Sequence, residues 1–136
     1  MRYATKFDSD LIYSLMCEFA KNKDNPLTNS KLWTRSHVQK VITEIMAGKG
    51  FILLDNGGLL IALKVPILWI ENAFQLHEVM LYSNNKFSTL RLIKGYITAA
   101  RGMITRGEVM QATLSTFNDD HLERLGLKRL EQHWAI

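Results

Sequence analysis

Apolar residues recur at helical spacing in three segments of the chain, which predicts three amphipathic helices. The stripes lie within residues 11–19, 38–45 and 90–100. Residues 8–10, all Asp or Ser, can cap the start of the first helix, and Gly48 and Gly50 can end the second. The third helix is expected to end near residues 101–102.

Strand-forming runs separate and follow these helices. They occupy residues 3–7, 51–54, 59–65, 67–70, 74–82 and 109–114. Asn56 and Gly57 stand between the second and third runs, and an Asn-Gly pair tolerates the positive φ angles of a tight hairpin turn. Polar residues 21–30 indicate a loop. A short helix over residues 118–125, ended by Gly126, and a strand over residues 127–134 complete the pattern.

This order of elements predicts one α/β (α+β) domain over residues 1–136, with a mixed, mostly antiparallel sheet flanked by about four helices. The connection from residue 82 to residue 109 passes through a helix, so its two strands should be parallel and the crossover right-handed. The chain has 136 residues, of which 47% are hydrophobic. That is enough for one hydrophobic core, and a second domain is not expected.

Composition limits the location and the partners. No apolar stretch reaches the roughly 20 residues that cross a bilayer, and the N-terminus lacks the apolar centre of a secretory signal. We therefore expect a cytoplasmic protein with no membrane partner. The net charge of +4 favours a polyanion, but nucleic acid, a membrane surface and a phosphorylated cofactor all fit that sign. The single cysteine, Cys17, is expected to be a buried apolar residue rather than a reactive thiol.

The opening Arg-Tyr-Ala-Thr-Lys-Phe-Asp of residues 2–8 leads into the first helix. It is similar to the Arg-x-Ala-Thr-x-x-Asp phrase of the first strand in the GNAT superfamily of N-acetyltransferases. The order and lengths of the elements resemble the same family over nearly the whole chain. The resemblance implies acetyl-CoA as cofactor, held by the backbone of residues 74–82 at Met80, Leu81 and Tyr82. The amide of Met80 or Leu81 would polarise the acetyl carbonyl.

In the family, a turn written Arg/Gln-x-x-Gly-x-Gly/Ala binds the pyrophosphate, and residues 87–92 correspond to it. Amides at a helix start have no internal acceptors and attract phosphate. The residues that the resemblance assigns to this role are Phe87, Ser88, Thr89, Leu90 and Arg91. Leu90 and Leu92 replace the glycines, which let the backbone approach phosphate closely. Hydroxyl groups and cations nearby can compensate, namely Ser88, Thr89, Lys86, Arg91 and Lys94. The alternative is an ordinary helix cap beside a solvated basic face.

The distal family pattern, Asn-x-x-Ala-x-x-x-Tyr-x-x-x-Gly-Phe, is matched by spacing rather than by residue. Counting back from Gly126 puts Leu122 at the Tyr position and Ser115 at the Asn position. The resemblance therefore implies cofactor contacts at Ser115 and nearby at Asn118, and the Tyr that acts as general acid is missing. Asn118 or His121 can replace it, or they can be a helix-capping Asn and a surface His.

One carboxylate lies within the cofactor strand. Strand alternation predicts one mainly apolar face, with His77 on the other; the face comprises Phe74, Leu76, Glu78, Met80 and Tyr82. Desolvation on such a face would raise the pKa of Glu78, which suits a general base that deprotonates an amine. The alternative is a carboxylate paired with a Lys or Arg. The four histidines are far apart in sequence, so no metal site is predicted.

Three functions therefore remain as hypotheses. The first is an acetyl-CoA-dependent N-acetyltransferase that acts on the amine of a small molecule or protein. The second is a catalytically silent binding or structural protein of the same fold, and the lost glycines would suit a divergent virus-encoded member. The third, non-specific nucleic-acid binding, is disfavoured because no recognised module or Lys/Arg run is present. A homodimer is also expected, since Trp69, Trp134 and Ile136 have no evident partner.

Overall fold

The computed structural model describes residues 1–21, 30–115 and 122–130. The elements in these residues are β1 (Arg2–Tyr3), α1 (Ser9–Lys21), α2 (Arg35–Glu44), β2 (Gly50–Asp55), β3 (Gly58–Pro66), β4 (Phe74–Ser83), α3 (Lys86–Thr105) and β5 (Gln111–Thr113). A π-helical turn over Ile45–Lys49 extends α2, and short 3-10 turns occupy Lys6–Asp8, Ser30–Leu32 and Leu122–Leu125. Each main helix and the hairpin thus lie where the sequence predicts them.

The five strands form one sheet in the order β1-β2-β3-β4-β5. The first four are antiparallel neighbours, and β5 pairs with β4 in parallel after the crossover through α3. The mixed, mostly antiparallel α/β sheet is therefore confirmed, as is the parallel pair around the crossover.

Two hydrophobic clusters cover the two faces of the sheet. The cluster under α3 contains Leu53, Leu60, Ala62, Leu76, Leu92, Tyr96, Ala100 and Val109. The cluster under α1 and α2 contains Ile12, Ile42, Ile45, Ile52, Leu54, Leu59 and Ile61. Successive residues of β2 and β3 alternate between the two clusters, because strand side chains point to opposite faces. The central strands are thus buried on both sides, with helices as the outer layers.

The first strand is shorter than the predicted residues 3–7. The amide of Thr5 donates to the Asp8 carboxylate at 2.8 Å, and the Thr5 hydroxyl accepts from the amide of Phe7 at 3.3 Å. These reciprocal contacts form a capping box, which starts a helical turn and leads directly into α1.

The predicted strand over residues 67–70 is wrong. After Pro66 the chain forms a hairpin loop, in which the amide of Ile67 donates to the carbonyl of Ala73 at 2.9 Å. Asn72 has a positive φ of 56°, a conformation that Asn tolerates and a strand does not use. Leu68 and Trp69 are 84% and 91% exposed, so the apolar character of this segment does not reflect burial in the sheet.

The C-terminal predictions are confirmed only in part. Helix α3 continues to Thr105, a few residues past its expected end, and β5 is limited to Gln111–Thr113. The predicted last helix is described only as the 3-10 turn Leu122–Leu125. Residues 127–130 adopt no strand, and the remainder of that predicted strand lies outside the described residues.

A β-bulge at Val79 corrects the predicted face of β4. Glu78 pairs with Ala62 and Met80 with Ile61, so Val79 has no counterpart on β3. An extra residue reverses the alternation beyond it. Phe74, Leu76 and Leu81 therefore pack under α3, whereas Met80 and Tyr82 pack under α1 and α2. The prediction of one continuous face on β4 is therefore wrong, because Met80 and Tyr82 lie on the opposite face from Phe74 and Leu76.

Candidate functional site

The edge of β4 that faces β5 is only partly paired. The parallel ladder runs from Gln75 opposite Gln111 to His77 opposite Thr113, but β4 continues to Ser83. Within the described part of the chain, no strand pairs with this edge over residues 78–83. Unpaired backbone amides and carbonyls of this kind can bind an extended ligand by hydrogen bonds.

Glu78 is the first residue of β4 beyond the ladder. Its carboxylate is half-buried and accepts a hydrogen bond of 3.0 Å from the amide of Ser115, two residues after β5. Burial raises the pKa of Glu78 from 4.5 to about 7, and the Ser115 amide opposes this rise only in part. Desolvation dominates because removing water disfavours the charged carboxylate. The structure thus brings together two residues that the sequence predicts at the site.

Tyr96, which the sequence reasoning missed, reaches the same place from α3. Its hydroxyl donates to the carbonyl of Thr113 at 2.6 Å, and its side chain belongs to the cluster under α3 at 2% exposure. Burial, followed by the nearby charge of Glu78, raises the pKa of Tyr96 well above its usual value. The available signal was a tyrosine on the apolar stripe of a helix, since a buried tyrosine hydroxyl needs an acceptor.

His77 lies on the opposite face of β4, as alternation predicts. Its partner across the sheet is Leu63, which packs under α1 and α2. The Nδ1 atom of His77 forms a hydrogen bond with the hydroxyl of Thr113. Thr113 is therefore held from both sides of the sheet, by Tyr96 at its carbonyl and by His77 at its side chain.

The start of α3 departs from the predicted phosphate-binding turn. Residues 87–92 lie inside the helix, which begins at Lys86. The N-cap Asn85 accepts the amide of Ser88 at 2.8 Å with its side chain, and its carbonyl accepts the amide of Thr89 at 3.2 Å. The amides of Lys86 and Phe87 precede the first intrahelical bonds and are the ones that a helix start offers to an anion.

The polar side chains predicted to bind phosphate are buried or bonded to other groups of the protein. Ser88 is fully buried, and the Thr89 hydroxyl donates to the Asn85 carbonyl at 3.2 Å. Arg91 donates to the buried carboxylate of Asp55 at 2.8 Å. Asp55 also lies 2.9 Å from the amino group of Met1. Arg91 and that amino group together hold the pKa of Asp55 well below its usual range.

The other residues predicted to contact the cofactor lie on β4, on the first turns of α3 and near the C-terminus. Met80, Leu81 and Tyr82 pair with β3 on one side and lie on the edge of β4 that has no partner strand on the β5 side. Phe87 and Leu90 are 76% and 42% exposed. Asn118 and His121 lie outside the described residues. The assignment of cofactor contacts to these residues stays a prediction.

A groove of about 860 Å³ lies elsewhere, between α3 and the β1-β2 edge of the sheet. Arg91 is the member of the predicted site that lines it, and Glu78 does not.

In residues 1–21, 30–115 and 122–130, no three His, Cys, Asp or Glu side chains come together as metal ligands. None of the helices in this part of the chain is long and apolar enough to span a bilayer. The candidate site is instead the gap where β4 and β5 separate beyond the His77–Thr113 pair, because Glu78 and the unpaired edge of β4 meet there.

Solved structures with similar folds include acetyltransferases. An aminoglycoside acetyltransferase from an uncultured soil metagenomic sample is 14% identical, with 99% of this chain and 95% of that chain covered and a TM-score of 0.66. A second such enzyme from an uncultured soil sample, solved with sisomicin, is 15% identical over 99% and 93% of the two chains, with a TM-score of 0.65. A protein from Bacillus halodurans C-125, described as a transcriptional regulator, is 19% identical over 99% and 96%, with a TM-score of 0.63.

No protein-family pattern matches the sequence. No curated protein matches it either. The structural similarities show that the chain has the fold of the GNAT acetyltransferases, as the sequence predicts. A shared fold hosts different functions, so the fold alone assigns no activity to this chain.

Proposed function

We propose that the chain is an acetyl-CoA-dependent N-acetyltransferase that modifies an amine of a small molecule or protein. The observation that carries this proposal is the half-buried Glu78, with a pKa raised to about 7, at the point where β4 and β5 separate. A base with a pKa near the working pH combines a useful ionised fraction with sufficient basicity.

The residues around the gap fit acetyl-CoA in part. When bound, acetyl-CoA supplies an acetyl group activated as a thioester. The β5-side edge of β4 at Met80, Leu81 and Tyr82 would hold an extended amide-containing chain by hydrogen bonds. The amides of Lys86 and Phe87 at the start of α3 would bind phosphate, helped by the positive end of the helix dipole.

Proton transfer would be the task of Glu78. An amine reacts as a nucleophile only after it has lost a proton, and ionised Glu78 would accept that proton directly or through one water molecule. The Ser115 amide nitrogen lies 3.0 Å from the Glu78 carboxylate oxygen, and this hydrogen bond would keep the carboxylate oriented towards the gap. An amide of Met80 or Leu81 would donate to the acetyl carbonyl as negative charge develops on its oxygen.

The catalytically silent alternative has support from a different place. Ser88 is buried, Thr89 is bonded to Asn85 and Arg91 is paired with Asp55. One buried and two bonded side chains, with leucines at the family's glycine positions, favour weaker phosphate binding. A chain of this fold without cofactor would then serve as a binding or structural protein.

Thermal unfolding with and without about millimolar acetyl-CoA separates the two functions. A ligand at 100 times its Kd adds roughly 2.7 kcal/mol of stability, so an enzyme should show a clear rise in Tm. Inorganic pyrophosphate at the same concentration controls for general anion binding. A rise with acetyl-CoA that exceeds the control supports the enzyme and justifies a screen of amines by mass spectrometry. No rise would contradict it and favour the silent protein.

A further inference from the structure

The end of β5 is attached to β4 by a short ladder. Strand β5 has three residues, and Thr113 forms its last pair, opposite His77. Ser115, whose amide bonds Glu78, follows two residues later. The position of Thr113 therefore limits where the Ser115 amide can lie relative to Glu78.

Tyr96 contacts both strands at this point. Its hydroxyl oxygen lies 2.6 Å from the carbonyl oxygen of Thr113 on β5 and 3.4 Å from that of Leu76 on β4. The ring is fixed by burial beneath the sheet, and Phe51 lies against it with ring centroids 6.3 Å apart. A rigid side chain anchored in the core thus holds the terminal carbonyl of β5 beside β4.

We infer that Tyr96 is a positioning residue that sets the width of the gap between β4 and β5 and thereby places the Ser115 amide on Glu78. Its effect on catalysis rests on the proposed acetyltransferase function, but its structural role does not. Tyr96 acts through Thr113 and Ser115.

Tyr96 does not replace the general acid that is missing at position 122. Its proton is donated to the Thr113 carbonyl in a short hydrogen bond, and its ring is 2% exposed. Burial raises the pKa of this hydroxyl, which makes it a weaker proton donor than an ordinary tyrosine. The contacts instead join two backbone segments.

The substitution Tyr96→Phe tests the structural role in the unliganded protein, because it removes one oxygen and keeps the ring. We expect amide hydrogen exchange at residues 112–115 to become faster by about fivefold to tenfold, the effect of losing one buried hydrogen bond. Tyr3→Phe removes the same atom from the β1 edge, where the side chain is 55% exposed, and should leave these rates unchanged. Unchanged exchange in Tyr96→Phe would overturn the inference.

Kinetics then test the consequence for the site. With the Ser115 amide displaced, ionised Glu78 loses a hydrogen bond, so the acid limb of the kcat/KM profile should move to higher pH and KM for acetyl-CoA should rise severalfold. If Tyr96→Phe instead loses the alkaline limb of the kcat/KM profile and keeps the acid limb unmoved, Tyr96 acts as a general acid. That result would contradict a positioning role. If wild-type protein does not bind acetyl-CoA, the proposed function fails, while the exchange result still decides the role of Tyr96.

Should Tyr96→Phe not fold, Thr113→Val provides a second test. It removes the hydroxyl that bonds His77 and keeps the carbonyl that accepts from Tyr96. Positioning by Tyr96 predicts that exchange at residues 114–115 in this variant stays close to wild type. Exchange raised tenfold or more would show that the His77 contact, rather than Tyr96, holds the strand end, and would overturn the inference.

Discussion

The carboxylate of Glu78 and the amide of Ser115 meet 3.0 Å apart, at the place where β4 and β5 no longer share backbone hydrogen bonds. This contact crosses the gap that a cofactor would have to enter. It also leaves the carboxylate half-buried, so that its pKa rises to about 7 despite the hydrogen bond. Glu78 is therefore both fixed in position and able to gain or lose a proton near neutral pH.

Replacing Glu78 with Gln should lower kcat/KM for acetyl transfer by roughly 10²–10⁴-fold, the contribution of a general base. In wild-type enzyme, kcat/KM should rise with pH through an apparent pKa near 7, because only the ionised carboxylate accepts a proton. Initial rates between pH 5.5 and 9 measure both effects.

The exposed Glu71, in the loop before β4, gives a matched control. Glu71→Gln makes the same chemical change away from the gap. It should leave kcat/KM and its dependence on pH as in the wild-type enzyme. A Glu78→Gln variant with wild-type activity would show that another group, or solvent, removes the proton.

The raised pKa of Glu78 also predicts how stability depends on pH. A folded-state pKa of about 7 against an ordinary 4.5 means that folding favours the protonated carboxyl. This stabilisation is present below pH 4.5 and is lost as pH rises through 7. Glu78→Gln should therefore unfold at nearly the wild-type urea concentration at pH 4.5. It should become more stable than wild type, by up to about 3 kcal/mol, at pH 8.

A difference that stays constant between pH 4.5 and pH 8 would mean that Glu78 is not desolvated in the folded protein. The Glu71→Gln variant again serves for comparison, since an exposed carboxylate should give no such trend.

The sequence predicts the helices, the hairpin and the parallel crossover, because each depends on local periodicity or turn chemistry. It fails at Val79, where the bulge depends on pairing with β3 and leaves no pattern in β4 alone. It also fails at residues 67–70, where apolar side chains stand in an exposed loop. Glu78 precedes the bulge, so its expected alternation with Phe74 and Leu76 is unaffected, while its catalytic role stays a prediction. Tyr96 was missed because its acceptor, Thr113, is 17 residues away.

Leu90 stands one turn inside α3, and helix side chains tilt towards the N-terminus, so it should cover the surface near the amides of Lys86 and Phe87. Leu90→Ala should therefore tighten acetyl-CoA binding severalfold, measured by calorimetry. Ile104→Ala is the matched control, since Ile104 is 43% exposed and Leu90 42%, on the same helix. Equal or weaker binding by Leu90→Ala would place the phosphates elsewhere.

The loop between β3 and β4 presents Leu68 and Trp69 to solvent, with 84% and 91% of their surfaces exposed. Exposed apolar groups of this size often mark an interface, so the homodimer stays a prediction. Trp69→Ser should shift elution in sizing chromatography from dimer towards monomer. Leu32→Ser, at a site 72% exposed, should not. Monomeric elution of wild-type protein at high concentration would contradict the dimer.

Asp55 joins the β2-β3 turn to two cations, Arg91 of α3 and the amino group of Met1. Both partners lower its pKa, so the stabilisation is complete above the ordinary pKa of 3.8 and is lost gradually as pH falls from there through the lower folded-state pKa. Asp55→Asn should lower the free energy of unfolding at pH 7 by about 1–2 kcal/mol, near the lower value because Arg91 is half exposed and solvent screens the pair.

Urea denaturation at pH 7 and at pH 2.5 provides the measurement for Asp55. Wild type and Asp55→Asn should differ at pH 7, and the difference should shrink at pH 2.5, because the unfolded chain then binds a proton that the ion-paired carboxylate excludes. Asp10→Asn is the matched control, because Asp10 also pairs with an arginine but its side chain is 86% exposed, so the change should cost well under 1 kcal/mol. If both variants lose the same stability, burial of Asp55 adds nothing to its ion pairs. If only Asp55→Asn is destabilised, and more at pH 7 than at pH 2.5, the Asp55 carboxylate fixes the start of α3 to the sheet, and with it the amides that would meet the phosphates.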